Sequence, residues 1–316
     1  MPKAPLNIGY FGLPLGALLL GLDGHSLNWL VLSPVDAPGQ RRLRRRFPDA
    51  VLCDIRQSGT EWKSSVHSIV GTIPVDLVVS WFWTRQVDPT WLARVRYGGI
   101  GAHPSLLPRH RGPNPYFAAI DAGDDWTGVT VHRLDQGYDQ GDILAQEAIP
   151  VAGRDAWQLA RALDGPSLNL LRQMVLNIAN GKLPSGVMQH QPAATFAPEP
   201  DGPDLRVDWT WTTERLLRRV RALCPVPGLA LELSGQKFLV TRAAATTRYP
   251  KGLFPGEAWL DQLLVLRTGD GAIQIERAAM SPEPGPTDEL ELCTGERLVE
   301  RLSMSNVMLA YPGGIE

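Results

Sequence analysis

Four short runs of nearly unbroken apolar character constrain this chain more than any other feature. They are Leu6 to Phe11, Leu27 to Leu32, Ala50 to Asp54 and Val75 to Trp81, each about one strand long and rich in Val, Ile, Leu and aromatic residues. A strand with one wet face alternates apolar and polar residues, so a run without that alternation reads as a strand covered on both faces. Helical stretches separate the runs, which predicts a mostly parallel sheet with helices on both sides. Gly99 to His103 is a further short strand, and it runs into the loop Pro104-Ser105-Leu106-Leu107-Pro108. Ligands of such sheets sit beyond the carboxyl ends of the strands, so chemistry is expected at this junction.

The pattern then changes. Thr127 to Leu134 and Ile143 to Pro150 read as a strand pair, separated by the polar turn Asp135 to Asp142. Helices follow, the second with Leu168, Leu171, Val175 and Ile178 at three- and four-residue spacing and a stop near Asn180-Gly181. Between about Pro184 and Pro203 the composition shifts to Pro, Ala, Gln and Asp without periodicity, the signature of a linker. Beyond it comes an amphipathic helix, Thr213 to Leu223, ended by Cys224-Pro225. The short strands Ala230 to Leu233, Phe238 to Ala243, Leu263 to Arg267 and Ala272 to Ala278 follow, with Gly-containing turns between them. That spacing suggests a small β-barrel. A chain of 316 residues thus reads as two domains: residues 1–184 as a Rossmann-like α/β domain, 185–204 as a linker, and 205–316 as an OB-like barrel.

Several classes are disfavoured. A formal charge of -2 leaves any anionic partner to be held by a local patch. Cys53, Cys224 and Cys293 are far apart and form no metal-ligand spacing, which fits a reduced cytoplasmic protein without disulfides or structural zinc. The apolar stretch Ile8 to Leu22 is interrupted by Gly9, Gly12, Pro14 and Gly16, and so reads as a buried strand turning into a helix rather than a signal peptide. No other apolar run reaches the roughly 18 residues needed to span a bilayer, and no membrane association is expected. Gly12-Leu13-Pro14-Leu15-Gly16 is not a dinucleotide fingerprint, so NAD is not expected.

His103 stands at a strand end, and Asp139 is carried by the Gly-rich turn. Such a pair suits acid/base work, the carboxylate orienting the imidazole and stabilising its cation; buried His-Asp pairs are also often structural. Order and spacing add specificity. Gly101-Ala102-His103-Pro104-Ser105-Leu106-Leu107-Pro108 leads to Arg111-Gly112, then Thr127-Gly128-Val129-Thr130, then Asp135-Gln136-Gly137-Tyr138-Asp139-Gln140-Gly141-Asp142. This succession resembles the family of 10-formyltetrahydrofolate-dependent formyltransferases. The second half, with Val207-Asp208-Trp209, the helix ending Arg221-Ala222-Leu223-Cys224-Pro225, and Thr268-Gly269-Asp270-Gly271, resembles the carboxyl-terminal domain of methionyl-tRNA formyltransferases.

The resemblance implies formyl transfer from 10-formyltetrahydrofolate to a primary amine, either methionyl-tRNA or a sugar or other small-molecule amine. It makes residues 1–184 the catalytic domain. His103 would act in proton transfer or polarise the formyl oxygen, and Asp139 would orient it and relay the amine's proton. Trp81, Phe82, Trp83, Arg85 and Gln86, with Asp135, Gln136, Gly137, Tyr138 and Asp142, would line the pterin pocket. Ser105, Leu106, Leu107, Pro108 and Arg109 would shape the acceptor side. One position departs from the family: Gly101 stands where an Asn amide donates to the tetrahedral oxyanion. Loss of one such donor typically costs on the order of 100- to 1,000-fold in turnover. What fills the space beside Gly101 therefore decides between retained transfer and an impaired or repurposed binder of folate or another acyl-type donor. A polar group there favours the first and an apolar plug the second.

Other features read two ways. Arg41, Arg42, Arg44, Arg45 and Arg46 form a basic run suited to an acceptor's phosphates or to a solvated helix face. The last domain carries nearly balanced charge, with acids bunched from Asp288 to Glu300, which fits a smaller acceptor at least as well as tRNA. Trp81-Phe82-Trp83 suits either stacking on a pterin or packing at a strand end. His110 and His132 read as structural or exposed, and no metal site is expected.

Overall fold

The apolar runs form the parallel strands β1 (Asn7–Gly12), β2 (Ser26–Leu32), β3 (Val51–Asp54) and β4 (Leu77–Trp81), followed by β5 (Gly99–His103). Helices α1 (Pro14–Leu22), α2 (Gln40–Arg46), α3 (Glu61–Val70) and α4 (Pro89–Leu92) connect them, and α5 (Pro115–Ala122) follows β5. Then come β6 (Trp126–Arg133), β7 (Ile143–Pro150) and the long helix α6 (Ala156–Ala179). The strand order in the sheet is β3-β2-β1-β4-β5-β6-β7. Strands β1 to β5 pair in parallel, whereas β6 runs antiparallel to both β5 and β7. This computed structural model describes residues 4–33, 39–54, 61–70, 72–233, 235–280 and 291–304.

The reason for unbroken apolarity is visible in how the strands divide. Ile8, Tyr10, Leu30, Leu32, Leu77, Val79 and Trp81 belong to one buried cluster, while Phe11, Trp29, Val31 and Val78 belong to another. Neighbouring strand residues point to opposite faces, so each strand feeds two cores and has no face left for polar residues. Leu168, Leu171, Val175 and Ile178 of α6 close the first cluster together with Ala17 and Leu20 of α1. Trp62 and Val66 of α3 and Trp91 of α4 close the second. The expected mostly parallel, helix-covered sheet is what forms.

By its contacts the chain divides into two units. The first comprises residues 1–115, 126–150 and 161–198 and carries the sheet. The segment 185–198, which reads as linker, is tied into this unit. Val187 exchanges backbone hydrogen bonds with Ile143, each 2.8 Å, and the Ala197 N–H donates to the Arg111 carbonyl at 2.6 Å. Isolated bridges of this kind leave no periodic trace in a sequence.

The second unit comprises residues 116–125, 151–160 and 199–316. Helix α7 (Thr213–Leu223) opens its main part, capped by the Thr212 hydroxyl, which accepts from the Arg215 N–H. Six antiparallel strands follow: β8 (Leu229–Leu233), β9 (Gln236–Thr246), β10 (Ala258–Leu260), β11 (Leu264–Arg267), β12 (Ala272–Met280) and β13 (Glu291–Thr294), then helix α8 (Gly295–Met304). Their order is β10-β11-β12-β9-β8, with β13 paired to β12. This is the expected small β domain; β10, β13 and α8 were not legible beforehand. Within the unit, Asp121 accepts paired guanidinium bonds from Arg215 and Arg219 at 2.6 to 2.9 Å. Of the acidic stretch Asp288 to Glu300, residues 288–290 lie outside the described residues. Among the described residues no helix is long and apolar enough to cross a membrane.

Candidate active site

Period-two alternation puts Gly99, Gly101 and His103 on one face of β5. In the antiparallel pairing with β6, Gly101 lies opposite His132, and His103 lies opposite Thr130. Opposed residues of such a pair share a face. Thr130, His132 and, two residues on, Leu134 therefore accompany Gly101 and His103.

Onto this face the turn after β6 delivers Asp139. Its Oδ2 lies 3.3 Å from Nδ1 of His103, and its Oδ1 lies 3.4 Å from Nε2 of His132. The Gly112 N–H also donates to Oδ2, at 2.8 Å. The other nitrogen of each imidazole faces a carbonyl, which can only accept. His103 Nε2 stands 2.7 Å from the His110 oxygen, and His132 Nδ1 stands 2.8 Å from the Arg133 oxygen. Those contacts assign a hydrogen to Nε2 of His103 and to Nδ1 of His132. Both histidines thus turn their exchangeable nitrogen toward the two oxygens of one carboxylate.

Electrostatics follow from this enclosure. Burial would raise the Asp139 carboxyl, but the charge of His103, the hydrogen bond and charge of His132 and the Gly112 N–H together outweigh it. They hold Asp139 well below the usual carboxylate range, so it is ionised at neutral pH. Burial pulls His103 below its ordinary value, against the attraction of Asp139. A neutral imidazole with a carboxylate at its free nitrogen is a proton acceptor.

Gly101 borders both kinds of neighbour. A Cβ built there would come within 2.9 Å of Leu134 Cδ2 and 3.6 Å of His132 Nε2. The other Leu134 methyl lies 2.8 Å from a Cβ built at Gly99. The two glycines leave a shallow trough in β5, which the Leu134 side chain covers, with an imidazole nitrogen beside it.

The surrounding loops are held by a few fully used polar groups. The Thr130 hydroxyl donates to the Ser105 carbonyl at 2.7 Å and accepts from the Leu107 N–H at 3.1 Å and from Gln146 at 2.8 Å. Ser105 Oγ donates to the Arg109 carbonyl at 2.7 Å. Ser105 and Leu107 are buried, Leu106 and Pro108 are half-buried, and Arg109 is exposed. Asp139 has a left-handed backbone, φ 54°, which costs a non-glycine residue about 1 kcal/mol or more. Gln189 holds it there, its amide donating to the carbonyls of Asp139 and Gly141, both at 2.7 Å. The Gln189 oxygen accepts two bonds from Arg111, at 2.7 and 3.0 Å. Thr195 accepts the His110 N–H at 2.8 Å. Gly112 has φ 105°, and a Cβ there would meet the Phe196 ring at 2.7 Å, so only glycine can present its N–H to Asp139 in this conformation.

The segments read as lining the pterin pocket meet where Gln86 donates to the Gln136 carbonyl. Gln136 and Tyr138 are exposed, as is Asp135, whose carboxylate accepts the Gln136 N–H at 2.6 Å. Gly137 and Asp142 are half-buried. Trp81 is buried, and its indole N–H donates to Ser167 at 2.9 Å. Trp83 packs edge-on to Trp62 at 5.7 Å, Arg85 lies over the Trp62 ring at 5.1 Å, and Phe82 takes φ 57° at the strand end. These contacts favour the packing reading for Trp81 and Trp83. Arg44, Arg45 and Arg46 are exposed on α2. The adjoining Phe47 abuts Gly21 at the far end of α1, whereas α1 begins beside the carboxyl end of β4, where the Leu13 N–H meets the Trp81 carbonyl. The Arg44–Arg46 end of the run thus lies toward the far end of α1, whereas Gly39, which opens α2, stands against Pro14 at its start.

Sequence reasoning read His132 as structural or exposed and did not single out Gln189 or Thr195, all three of which the structure brings to the Asp139 site. A signal existed for the first: counting the β6 alternation back from Leu134 places His132 on the face of Thr130. Gln189 and Thr195 lie in an aperiodic stretch and had none.

The geometry agrees with comparisons to known proteins. Residues 28–166 match the formyl transferase family, and residues 203–283 match the formyl transferase C-terminal domain. The chain is 36% identical over 217 residues to a methionyl-tRNA formyltransferase of Acidiphilium cryptum, covering 67% of this chain and 69% of that protein. HypX from Aquifex aeolicus, solved in complex with tetrahydrofolic acid, has the same fold at a TM-score of 0.65 and 19% identity. That likeness covers 94% of this chain, which spans about half of the HypX chain (47%). WlaRD, a sugar 3N-formyl transferase, superposes with a TM-score of 0.64 at 13% identity, over 85% of this chain and 96% of that one. With two matching segments in order and a relative of this identity, the chain belongs to the formyltransferase family.

Proposed function

We infer that this protein transfers a formyl group from 10-formyltetrahydrofolate to a primary amine. One observation carries the reading: a half-buried carboxylate, Asp139, faces the free nitrogen of the buried His103 at 3.3 Å at the end of β5. The amine nitrogen bonds to the formyl carbon while the carbonyl π pair moves onto oxygen. Collapse breaks the bond from that carbon to N10 of the folate. The proton the amine gives up passes to His103 Nδ1, with Asp139 offsetting the charge, and ends on N10. The donor's pterin is assigned to the segments Trp81–Gln86 and Asp135–Asp142, a reading supported by the bond joining Gln86 to Gln136. The Ser105–Arg109 loop is assigned to the acceptor. None of the three cysteines is in a disulfide, which fits a cytoplasmic setting.

Methionyl-tRNA is the acceptor suggested by the Acidiphilium cryptum relative and by the matching C-terminal domain. A sugar amine is the second reading, supported by the fold likeness to the sugar 3N-formyl transferase WlaRD and by the nearly balanced charge of the last domain. The deciding experiment incubates the purified protein with 10-formyltetrahydrofolate and a panel of amines, following tetrahydrofolate release. Release with one acceptor is expected; no release with any of them, and no donor binding by calorimetry, overturns the proposal. If the acceptor is tRNA gripped by the run, changing Arg44, Arg45 and Arg46 to Ala lowers affinity by about 10-fold or more at low salt and reduces the salt slope by about 2 to 3. Unchanged affinity at every salt concentration returns these residues to a solvated helix face.

A further inference from the structure

An acceptor for formyl transfer has to be held by more than its reacting nitrogen, and helix α6 brings one unused polar group to the edge that carries His103. Asp164 precedes Leu168, Leu171 and Val175 by four, seven and eleven residues, so helical spacing places it on the same stripe. Those three leucine and valine side chains are buried in the first core cluster. A carboxylate at the head of an inward-facing apolar stripe calls for a partner. Among the described residues no hydrogen bond or ion pair reaches Asp164. Arg161, exposed and three residues earlier on the helix, acts on it only through space. Burial outweighs that attraction and pushes the Asp164 carboxyl above its ordinary value. The side chain is half-buried, which leaves it open to a ligand.

The course of α6 fixes where this carboxylate stands. Ser167 accepts the indole N–H of Trp81, the last residue of β4, at 2.9 Å. Helix α1 begins at the Trp81 carbonyl, and Arg172 reaches Asp23 at the other end of α1 at 2.6 and 2.7 Å. Helix α6 thus enters at the carboxyl edge of the sheet and runs toward the amino edge. Asp164 lies about 4.5 Å farther out than Ser167, and helical side chains lean toward the N-terminus, here away from the core. It overhangs the strand ends, where ligands of such sheets sit. Trp81 pairs with Ala102, the neighbour of His103. His103 shares the face of Gly99 and Gly101, on which Leu92 and Leu134 pack with the second cluster, whereas the Asp164 stripe belongs to the first. The two residues flank the strand ends from opposite faces of the sheet.

We propose that Asp164 is a specificity-determining residue of the acceptor site, its carboxylate accepting hydrogen bonds from hydroxyl groups that the acceptor carries beside its amine. The reacting nitrogen has to meet the formyl carbon on the His103 side, so the group that satisfies Asp164 is a different donor on the same molecule. An apolar substituent in that place leaves a partly desolvated carboxylate unpaired and is penalised. Amino sugars and the terminal ribose of an aminoacyl-tRNA both present such hydroxyls; plain alkylamines do not. No bond is made or broken at Asp164.

This inference rests on formyl transfer being the activity, and the test separates the two. Steady-state kinetics with 10-formyltetrahydrofolate compare an aminodeoxyhexose, methionyl-adenosine and cyclohexylamine, which has a ring and an amine but no hydroxyl. The parent should prefer a hydroxylated acceptor over cyclohexylamine by about 10- to 100-fold in kcat/KM. Asp164→Ala should raise KM for that acceptor by about 10-fold or more, with kcat and donor affinity by calorimetry within about threefold, and leave cyclohexylamine unchanged. Which hydroxylated acceptor loses affinity distinguishes a sugar from a ribose. Because the carboxylate has no partner in the protein, Asp164→Ala and Asp164→Asn should melt at or above the parent temperature. The proposal is overturned if cyclohexylamine matches the hydroxylated acceptors in the parent, or if Asp164→Ala keeps every KM within twofold. It is also overturned if both variants melt well below the parent, which would reveal a structural partner. If the parent releases no tetrahydrofolate with any amine, the functional reading falls and this one with it.

Discussion

Replacing Asp139 with Asn should reduce formyl transfer by about 10³-fold while leaving donor affinity nearly unchanged. The amide keeps the shape of the carboxylate and can still accept the Gly112 N–H, now at 2.8 Å. It cannot balance the positive charge that appears on His103 as the amine loses its proton, and its own N–H₂ would face an imidazole nitrogen on one side. Single-turnover release of tetrahydrofolate measures the chemical step apart from binding. A loss of less than 10-fold would sink the proton role assigned to the His103–Asp139 pair. Stability gives an independent reading. Because the folded carboxyl is held below its ordinary value, it contributes stability that is fully present above the unfolded pKa of about 3.9 and is lost as pH falls through the folded value. Chemical denaturation of the parent between pH 6 and 3 should therefore show an acid-side decline that Asp139→Asn flattens. Identical slopes in the two proteins would mean the carboxylate is not held as described.

The second large effect is expected at Gln189. Its amide carries the carbonyls of Asp139 and Gly141, and its oxygen carries the Arg111 guanidinium. Gln189→Leu strands those groups in a site with 3% exposure. The cost should be about 3 to 5 kcal/mol, since each buried unsatisfied polar group costs about 1 to 3 kcal/mol and a charged one more. With the left-handed backbone at Asp139 released, turnover should also fall by about 10- to 100-fold, the scale of a displacement near 1 Å. Urea denaturation and steady-state kinetics check the two parts. Gln189→Glu sharpens the test: it keeps the acceptor for Arg111 but sets a carboxylate against two carbonyls, so kinetics should suffer more than stability. A Gln189→Leu protein as stable as the parent would show that Arg111 and the Asp139 loop are held by other means.

These two residues also mark how far the sequence could be read. Asp139 was legible because its turn is dense in Gly and Asp and stands in a fixed order after the Thr127-Gly128 strand, a local pattern tied to a local backbone requirement. Gln189 was not, because it acts through hydrogen bonds to residues 48 and 50 positions away in a stretch without periodicity. The same contrast separates the two aromatic readings of Trp81. Position at a strand end suggested a ligand, whereas its indole N–H is taken by Ser167, 86 residues on, a partner that no local window contains. His132 lies between these cases: strand alternation was enough to choose its face, but only the register of β6 against β5 puts it opposite the glycine.

Taken alone, then, the amino-acid sequence determined the doubly covered sheet, the small β domain after it, the His103 and Asp139 positions and the absence of a side chain at 101. The sheet and the β domain are written in short-range periodicity and turn chemistry, whereas His103, Asp139 and the gap at 101 stand out through the resemblance of the ordered motifs to the formyltransferase family. The tertiary structure alone decided that Asp139 is shared by two histidines, that Leu134 and His132 border the gap at Gly101, and that residues 185–198 fasten the loop that carries Asp139. Those are consequences of strand register and of long-range hydrogen bonds, which join residues that no period in the chain relates.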